Sequence, residues 1–302
     1  MLHLAWRNLW RNSRRTWLTA SAIAFSAMLL VFMITLQLGA YDMLIGNTLR
    51  VFTGQMQIQR EGYLDKPQMR LSIPNARALA ETLRRATHIA EIAVRANGFA
   101  LASSGARSYG VPVVGVEPLN EPLVSTIPRL IKRGRYLADM NAQEIVIGAP
   151  LARNLRIDVG AELTLLGGGR DGSVAAAVLP VVGIFESGTP EIDRRLVQMP
   201  LATFQDVFAM NTDAHAIVIS GAALEDIPRR FAMVQSHLPV GGGLVLLDWD
   251  RLVPGIKQLI QADTVQNWFT YIVLIVVVTF SILNTFLMSV LERTREFGIM
   301  LA

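Results

Sequence analysis

The residues that could carry out chemistry are scattered along this chain and lack the neighbours that a reaction needs. Histidine occurs at four separate positions, none with a His or Cys at metal-ligand spacing: His3, His88, His215 and His237. Ser103 and Ser104 lie in a small-residue turn without a nucleophile-elbow pattern, and the chain contains no cysteine. The sequence therefore predicts no catalytic site and no metal site, and we expect a protein that is not an enzyme.

A glycine-rich run at residues 167–172 has a composition that could cradle a phosphate group. No Lys-Ser or Lys-Thr pair follows it, and it joins two strand-like segments, 162–166 and 174–185, instead of opening a helix. The pattern therefore predicts a hairpin turn, and we expect the chain to bind no cofactor of its own.

Two long uncharged stretches, 16–41 and 264–291, must position everything else. Each exceeds the ~20 residues that a helix needs to cross ~30 Å of hydrocarbon, so we predict two transmembrane helices. A cleaved signal peptide is the alternative for the first stretch. The apolar core of a signal peptide has only ~7–15 residues, which is shorter than the uncharged segment 17–38 and favours an uncleaved span.

The net charge of +4 comes from arginines that precede the first span. Residues 42–263 hold equal numbers of acidic and basic side chains, so this segment offers no basic surface for a nucleic acid. Because short Arg-rich flanks stay in the cytoplasm, we predict a cytoplasmic N-terminus, an external middle segment and a cytoplasmic residue 302.

Residues 1–15 place tryptophans and arginines on opposite sides of a helix, which predicts an amphipathic helix on the inner membrane surface. Indole rings suit the headgroup boundary, and guanidinium groups suit anionic lipid. The alternative is that these are only the flanking charges of a span. The predicted membrane-interface residues are Trp6, Arg7, Trp10, Arg11, Arg14, Arg15 and Trp17.

The external segment, 42–248, alternates short strand-like runs with helical runs, which predicts an α+β domain. Segments 55–59 and 144–147 have strand patterns, and 75–87 has the apolar spacing of an amphipathic helix.

A stalk helix is predicted at 249–263, between the domain and the second span. From Asp248 or Asp250 the sequence can stay helical into the membrane, with Pro254 tolerated in the first turn. Such a helix would join domain and membrane as one rigid lever. Within the second span, Asn284 predicts packing against a neighbouring helix, with a transport pathway as the alternative.

Several segments carry a resemblance to a known family. Residues 5–19 contain an Arg-Asn-Leu core followed by Arg-Thr, and residues 292–302 begin Glu-Arg-Thr-Arg-Glu-Phe-Gly. Both segments resemble the FtsX-like and MacB-like ABC transporter permeases. Residues 54–63 are similar to the lipoprotein-releasing LolC and LolE branch, and 147–155 and 182–185 are similar to the external domain of the family.

The resemblance implies a permease whose external domain has the MacB periplasmic-core fold and whose full form has four spans. Members of the family continue beyond the last motif, so we expect the leading part of a longer permease, with a true two-span variant as the alternative. The resemblance also implies that the cytoplasmic segment 292–302 contacts an ATPase. The residues of this coupling segment are Glu292, Arg293, Thr294, Arg295, Glu296, Phe297, Gly298 and Ile299.

The resemblance further implies a location in the bacterial inner membrane and a set of partners. These are a cytoplasmic ABC ATPase dimer that binds ATP and Mg²⁺, a second permease subunit in a homodimer or heterodimer, membrane lipid, and a lipoprotein or periplasmic chaperone, but no nucleic acid. The expected function is extraction or export of lipoprotein or lipid by mechanotransmission. The alternative is an FtsX-like transmitter that regulates an external cell-wall hydrolase without transporting cargo.

Overall fold

The computed structural model describes residues 13–239 and 241–301. They divide into two compact units. Residues 45–254 form a domain built on a β-sheet, and the described residues on either side of that range form a unit of two long helices.

Helices and strands are interspersed through the domain, and a long helix precedes and follows it. The helices are α1 (Ser13–Thr48), α2 (Ala76–Thr87), α3 (Glu121–Val124), α4 (Ala149–Leu155), α5 (Pro190–Arg195), α6 (Leu201–Val207), α7 (Ile227–Ser236), α8 (Trp249–Leu252) and α9 (Pro254–Leu301). The strands are β1 (Met56–Arg60), β2 (Ile92–Ser104), β3 (Arg107–Val116), β4 (Ile131–Gly134), β5 (Ile145–Gly148), β6 (Glu162–Gly168), β7 (Val174–Phe185), β8 (Val197–Pro200), β9 (Ala216–Ile219) and β10 (Leu244–Asp248). A π-helical turn, Leu49–Thr53, directly follows α1.

Two segments of the described chain are long and apolar enough to cross a membrane. Ile23–Thr53, in α1 and the following turn, and Pro254–Asn284, in α9, have 31 residues each and mean hydropathies of 2.1 and 1.8. At 1.5 Å per residue each extends about 46 Å, which exceeds the hydrocarbon thickness of a bilayer. Length and composition therefore agree with the two predicted spans.

Polar side chains join α1 to α9 within the helical unit. The amide of Gln37 donates to the Asp263 carboxylate at 3.3 Å, and the hydroxyl of Tyr41 donates to the same oxygen. The side-chain amide of Asn267 also donates to Asp263, at 2.9 Å, while the Tyr271 hydroxyl donates to the side-chain oxygen Oε1 of Gln37. In an apolar surrounding such bonds have little competition from water, so they favour one pairing of the two helices.

The helix that enters the second apolar stretch begins at Pro254, and the prediction of an unbroken helix from Asp248 or Asp250 is wrong. Asp248 does begin a helix, since its carboxylate accepts a hydrogen bond from Trp249 N at 2.6 Å. That helix, α8, ends at Leu252, because the next residue, Val253, has a φ of −134° and a ψ of 67°, which lie outside the helical region. Proline disfavours helical backbone at the residue before it and fits best in the first turn of a helix.

One mixed sheet organises the domain and confirms the predicted α+β class. Its strand order is β10-β1-β9-β2-β3-β8-β5-β7-β4, and β6 pairs with both β2 and β7. The pairs β3 with β8 and β5 with β7 are parallel, whereas β6 and β7 form an antiparallel hairpin. The register of that hairpin runs to Gly168 opposite Val174, which confirms the predicted hairpin. The turn itself comprises residues 169–173, because Gly167 and Gly168 belong to β6.

The main core lies on one face of the sheet. Side chains of a strand alternate between the two faces, and Ile92, Val94 and Ala96 of β2 all enter the largest apolar cluster. Leu83 of α2 and Phe204 of α6 pack into the same cluster, so helices cover this face.

The second face of the sheet is covered unevenly. A smaller cluster that includes Val114, Val146 and Phe185 occupies its middle, and Phe52 of the π-helical turn packs against that cluster. Further along β2, Phe99 is 67% exposed and Leu101 is 42% exposed on the same face. An apolar part of this face is therefore open to solvent within the domain.

Gly54 provides a test of how tightly the π-helical turn fits the sheet. Its φ of 77° and ψ of 175° belong to a region that is nearly restricted to glycine. A Cβ atom there would lie 2.3 Å from Cγ1 of Val218. We expect Gly54→Ala to lower the free energy of unfolding by about 3 kcal/mol, as measured by denaturant unfolding of the full chain.

The matched control is Gly62→Ala, because Gly62 also has a positive φ, 81°, but faces open space. We expect this variant to lose about 1 kcal/mol, from backbone strain alone. Equal losses for the two variants would contradict the close approach of the turn to β9.

Candidate functional site

The structure places only some of the predicted site residues. Trp6, Arg7, Trp10 and Arg11 lie outside the described residues. Arg14, Arg15 and Trp17 lie in the first turns of α1, and Asn284 lies in α9 with an exposed side chain. The backbone of the coupling segment 292–299 continues α9. The roles assigned to all of these residues stay predictions.

A junction that the sequence did not predict joins the end of α1 to the domain, and it consists of the π-helical turn Leu49–Thr53 and the groups that bond its carbonyls. The last carbonyls of a helix have no partner within the helix and need one elsewhere. Two of the partners are local: Gly54 N donates to Leu49 O at 2.8 Å, and Gln57 Nε2 donates to Thr53 O at 2.7 Å. Two come from the segment after α3: Thr126 N donates to Arg50 O at 2.9 Å, and Ser125 Oγ donates to Val51 O at 2.8 Å. The fifth is the Arg95 guanidinium, which donates to Phe52 O.

A buried ion pair supports this junction. Arg95 of β2 and Glu121 of α3 are 2% and 0% exposed, and they form two parallel hydrogen bonds of 3.0 and 2.7 Å. The guanidinium carbon of Arg95 also lies 4.2 Å from the centre of the Phe52 ring. Arg95 therefore holds both the carbonyl and the ring of Phe52, through a hydrogen bond and a cation–π contact.

A half-buried tyrosine lies near the same pair. The hydroxyl of Tyr136 donates to Oε1 of Gln198 at 3.0 Å. Burial, and then the negative charge of Glu121, raise the pKa of Tyr136 well above its usual value, so the phenol stays neutral. Tyr136 and Gln198 therefore add no charge that would compete with the ion pair.

Both connections to the long helices leave the domain side by side. In the register of β1 with β10, Met56 lies opposite Asp248. Met56 directly follows the junction loop, and Asp248 directly precedes α8. A force on either connection would therefore act on the same end of two adjacent strands.

An apolar cleft of about 620 Å³ opens on the partly covered face of the sheet, next to the junction. Its volume falls in the range of ~300–1,000 Å³ in which proteins enclose small molecules. The apolar lining includes Phe52, Met69, Phe99, Val114, Ile192 and Leu196. The polar lining includes Tyr63, Gln68, Asn97, Glu191 and Arg195. Phe52 belongs to both the junction and the cleft, so the two features share one side chain.

A neutral histidine supports the polar side of the cleft. The ring of His215 stacks on Tyr63 with centroids 5.1 Å apart, and its Nδ1 accepts a hydrogen bond from Asn97 N at 2.9 Å. The side-chain amide of Asn97, through Nδ2, donates to the Tyr63 hydroxyl at 3.2 Å. Burial is the main cause that lowers the pKa of His215 to about 4, so this ring is uncharged at neutral pH.

An apolar strip extends from the cleft along the sheet. Leu101 lies opposite Leu166 of β6, and Thr164 lies opposite Val178 of β7, so these side chains share one face. Leu166 and Val178 are 48% and 56% exposed. Phe99 connects the strip to the cleft, which gives the domain a continuous apolar surface.

The site residues offer hydrogen-bonding groups and apolar surface. Among residues 13–239 and 241–301, no group of three or more His, Cys, Asp or Glu side chains could hold a metal ion. Sequence reasoning missed Arg95 and Glu121. The available signal was a charged residue inside a strand-like run of small and apolar residues, because arginine is rarely buried without a partner.

Comparisons with protein families and with solved structures identify domains that this chain is similar to. A family model described as MacB-like periplasmic core domain matches residues 16–230. The periplasmic region of MacB from Actinobacillus actinomycetemcomitans is 16% identical, with a TM-score of 0.49 over 70% of this chain and 94% of that chain. The extracellular domain of the noncanonic ABC-type transporter YknZ from Gram-positive bacteria is 10% identical, with a TM-score of 0.47 over 65% of this chain and 100% of that chain. No curated protein matches the chain.

The buried ion pair gives a first prediction for this site. Arg95→Met leaves the Glu121 carboxylate buried without a countercharge, and we expect it to lower the free energy of unfolding by about 3–5 kcal/mol. The double variant Arg95→Met/Glu121→Leu should lose clearly less, because no lone charge remains. A double-mutant cycle measures the difference by denaturant unfolding of the unaltered chain, Arg95→Met, Glu121→Leu and the double variant.

An exposed pair is the matched control for this cycle. Arg133 and Asp158 form an ion pair with side chains 59% and 53% exposed. We expect Arg133→Met to cost less than about 1 kcal/mol. A double variant that loses as much as the sum of the Arg95 and Glu121 single variants would show that the two residues act independently.

The histidine gives a second prediction. The unfolded chain takes up the His215 proton near pH 6.5, and the folded domain takes it up only near pH 4. This residue's contribution to stability is therefore complete above pH 6.5 and is lost as the pH falls to 4. At about 1.4 kcal/mol for each pH unit, the loss amounts to about 3 kcal/mol.

His215→Gln should remove this part of the pH dependence, whereas the exposed His237→Gln should leave it unchanged. Unfolding free energies measured between pH 4 and 7 test this difference. If the His215→Gln chain keeps the full slope, another group is responsible.

Proposed function

Because the chain belongs to the family of MacB-like periplasmic core domains of ABC transporter permeases, we propose that it couples ATP hydrolysis in a separate cytoplasmic ATPase to movement of its external domain. Proteins of this kind are permease-like and generally not catalytic. The chemistry of ATP would then take place in the partner, which would bind the ATP and Mg²⁺.

The observation that carries the proposal is the junction at the end of α1. A movement of α1 can reach the sheet only if the helix does not rotate freely on a flexible linker. The carbonyls of residues 49–53 are bonded by groups of the domain and of the loop that enters β1. This arrangement suits mechanotransmission, in which the membrane helix moves the domain as a connected body.

The cargo that we favour is lipoprotein or lipid, as in the LolC and LolE branch. The support is the apolar cleft together with the exposed strip of Phe99, Leu101, Leu166 and Val178. Apolar surface of this extent on an external domain is suited to contact with lipid or acylated cargo. An FtsX-like transmitter of force to a hydrolase would have no need of an acyl-sized cleft.

The assembly that follows from the proposal contains several partners. A dimer of ABC ATPase subunits would contact the coupling segment 292–299 from the cytoplasm. A second permease subunit, identical or related, would supply the helix neighbours that Asn284 predicts. The domain would face the periplasm of a bacterial inner membrane, where a lipoprotein or a chaperone could reach it.

The coupling segment supplies the test of this function. We expect the charge reversal Arg293→Glu/Glu296→Arg to reduce copurification of the ATPase subunit with the full chain at least tenfold, because ATPase docking would depend on these two charges. Quantitative mass spectrometry of the purified complex measures this ratio. Reporter fusions at Gly169 and Ala302 should still report external and cytoplasmic locations, which shows that insertion is intact.

The matched control reverses the exposed pair Arg133 and Asp158, which lies in the external domain. ATPase recovery should be unchanged in that variant. If the Arg293 and Glu296 reversal recovers as much ATPase as the unaltered chain, the coupling role of the segment is wrong. A cytoplasmic reporter signal at Gly169 would contradict the orientation.

A further inference from the structure

We propose that the cleft binds one acyl chain of a zwitterionic phospholipid whose head carries a phosphate and a primary ammonium group. This inference rests on the proposed function and deepens it, because it names the class of lipid that the cleft takes; binding to the cleft itself requires neither the ATPase nor transport. Its support is a division of the cleft into an apolar interior and a rim with one charge of each sign.

The interior of the cleft suits a hydrocarbon chain. Phe52, Phe99, Val114, Ile192 and Leu196 contribute apolar surface to it, and Met69 adds a flexible side chain that can follow the shape of a ligand. The volume of about 620 Å³ suits a small molecule or a single chain, and is too small for a folded protein segment.

The rim carries the two charges. Glu191 and Arg195 stand one helical turn apart on α5, and both line the cleft. Within the part of the chain that the structure describes, neither side chain forms an ion pair, with the other or with any further residue. A guanidinium binds phosphate oxygens through paired hydrogen bonds, and a carboxylate accepts hydrogen bonds from an ammonium group.

The charge pattern selects the kind of head group. A fatty acid or an anionic lipid would bring its negative charge near Glu191, and a purely cationic amphiphile would meet Arg195. A zwitterion satisfies both charges. A primary ammonium can donate hydrogen bonds to the Glu191 carboxylate, which the quaternary ammonium of a choline head cannot do.

Neutral polar groups in the lining of the cleft fit the ester linkage. The Tyr63 hydroxyl accepts a hydrogen bond from Asn97 at 3.2 Å, so its own proton is free to be donated to an ester carbonyl. Burial raises the pKa of Tyr63, which keeps the phenol protonated. His215, uncharged and stacked on Tyr63, adds no competing charge beneath it.

Phe52 connects an occupied cleft to the junction. Its ring lines the cleft and lies under the Arg95 guanidinium, while its carbonyl accepts a hydrogen bond from the same group. A chain bound in the cleft would therefore touch the side chain that fixes the end of α1.

The test uses the full chain in amphipol, without added ATPase or nucleotide. The probe is lysophosphatidylethanolamine with a photoreactive diazirine in its single acyl chain. We expect saturable binding, with photolabel on the peptides that contain Phe52, Phe99 and Leu196. Ile192→Trp, which fills the cleft, should weaken binding at least tenfold, while Leu119→Trp, at an exposed side chain outside the cleft and the strip, should leave it unchanged.

The rim variants keep the test decisive if the filled cleft disturbs folding, because Glu191 and Arg195 are exposed. Arg195→Gln should weaken binding about tenfold for both the ethanolamine and the choline form of the lysolipid. Glu191→Gln should remove a preference of at least fivefold for the ethanolamine form in the unaltered chain.

Three results would overturn the proposal: label that lies outside the cleft, binding that does not saturate, or equal affinity of the unaltered chain for ethanolamine, choline and fatty-acid probes. Because the assay contains no ATPase, these results leave the coupling proposal untouched. Loss of ATPase copurification, in turn, would leave lipid binding in the cleft unaffected.

Discussion

The structure of this domain depends on one constraint: a helix that enters a folded domain arrives with carbonyl groups that must find new hydrogen-bond partners. The chain meets this constraint at residues 49–53, where donors from the domain and from the loop that enters β1 bond successive carbonyls. The strongest of these donors, Arg95, has to be buried to reach Phe52. A buried guanidinium requires a countercharge, and this explains the fully buried Glu121 of α3. A single backbone requirement thus accounts for the polar centre of an otherwise apolar sheet face.

The same constraint explains where the open surface lies. The π-helical turn, α3 and the cluster around Val114 and Phe185 cover the part of the sheet nearest the junction, and coverage stops at Asn97 and Phe99 of β2. The strand continues to Ser104 beyond this cover, so its outer face remains exposed. The cleft forms at this boundary, with Phe52 on one side and the sheet on the other. The junction, to which we assign coupling, and the cleft, to which we assign lipid binding, are therefore neighbours on one face of the sheet.

Periodicity and turn residues predicted much of the fold, because these signals are local. The alternation of strands and helices, the hairpin around 167–172 and the apolar helices follow from patterns of a few residues. The junction could not be predicted in this way, since Phe52, Arg95 and Glu121 are far apart in sequence and meet only in the folded sheet. Arg95 inside a strand-like run was nevertheless a visible sign of a buried partner. The hydrogen bond between Gln37 and Asp263 could not be predicted for a related reason. Both residues lie near the ends of the apolar stretches, and their pairing depends on how the two helices meet. Pro254 can begin a helix, but it also disfavours helical backbone at Val253, so the helix is interrupted there.

Hydrogen exchange at the junction tests the central claim, that the end of α1 is held by the domain through the buried ion pair. The amides of Gly54 and Thr126 donate to carbonyls of the π-helical turn. In the unaltered chain they should exchange as slowly as the core amides of β9. In Arg95→Met/Glu121→Leu they should exchange at least a hundredfold faster, while the β9 amides keep their protection. Fast exchange of Gly54 and Thr126 in the unaltered chain, or rates that do not change in the double variant, would contradict the account.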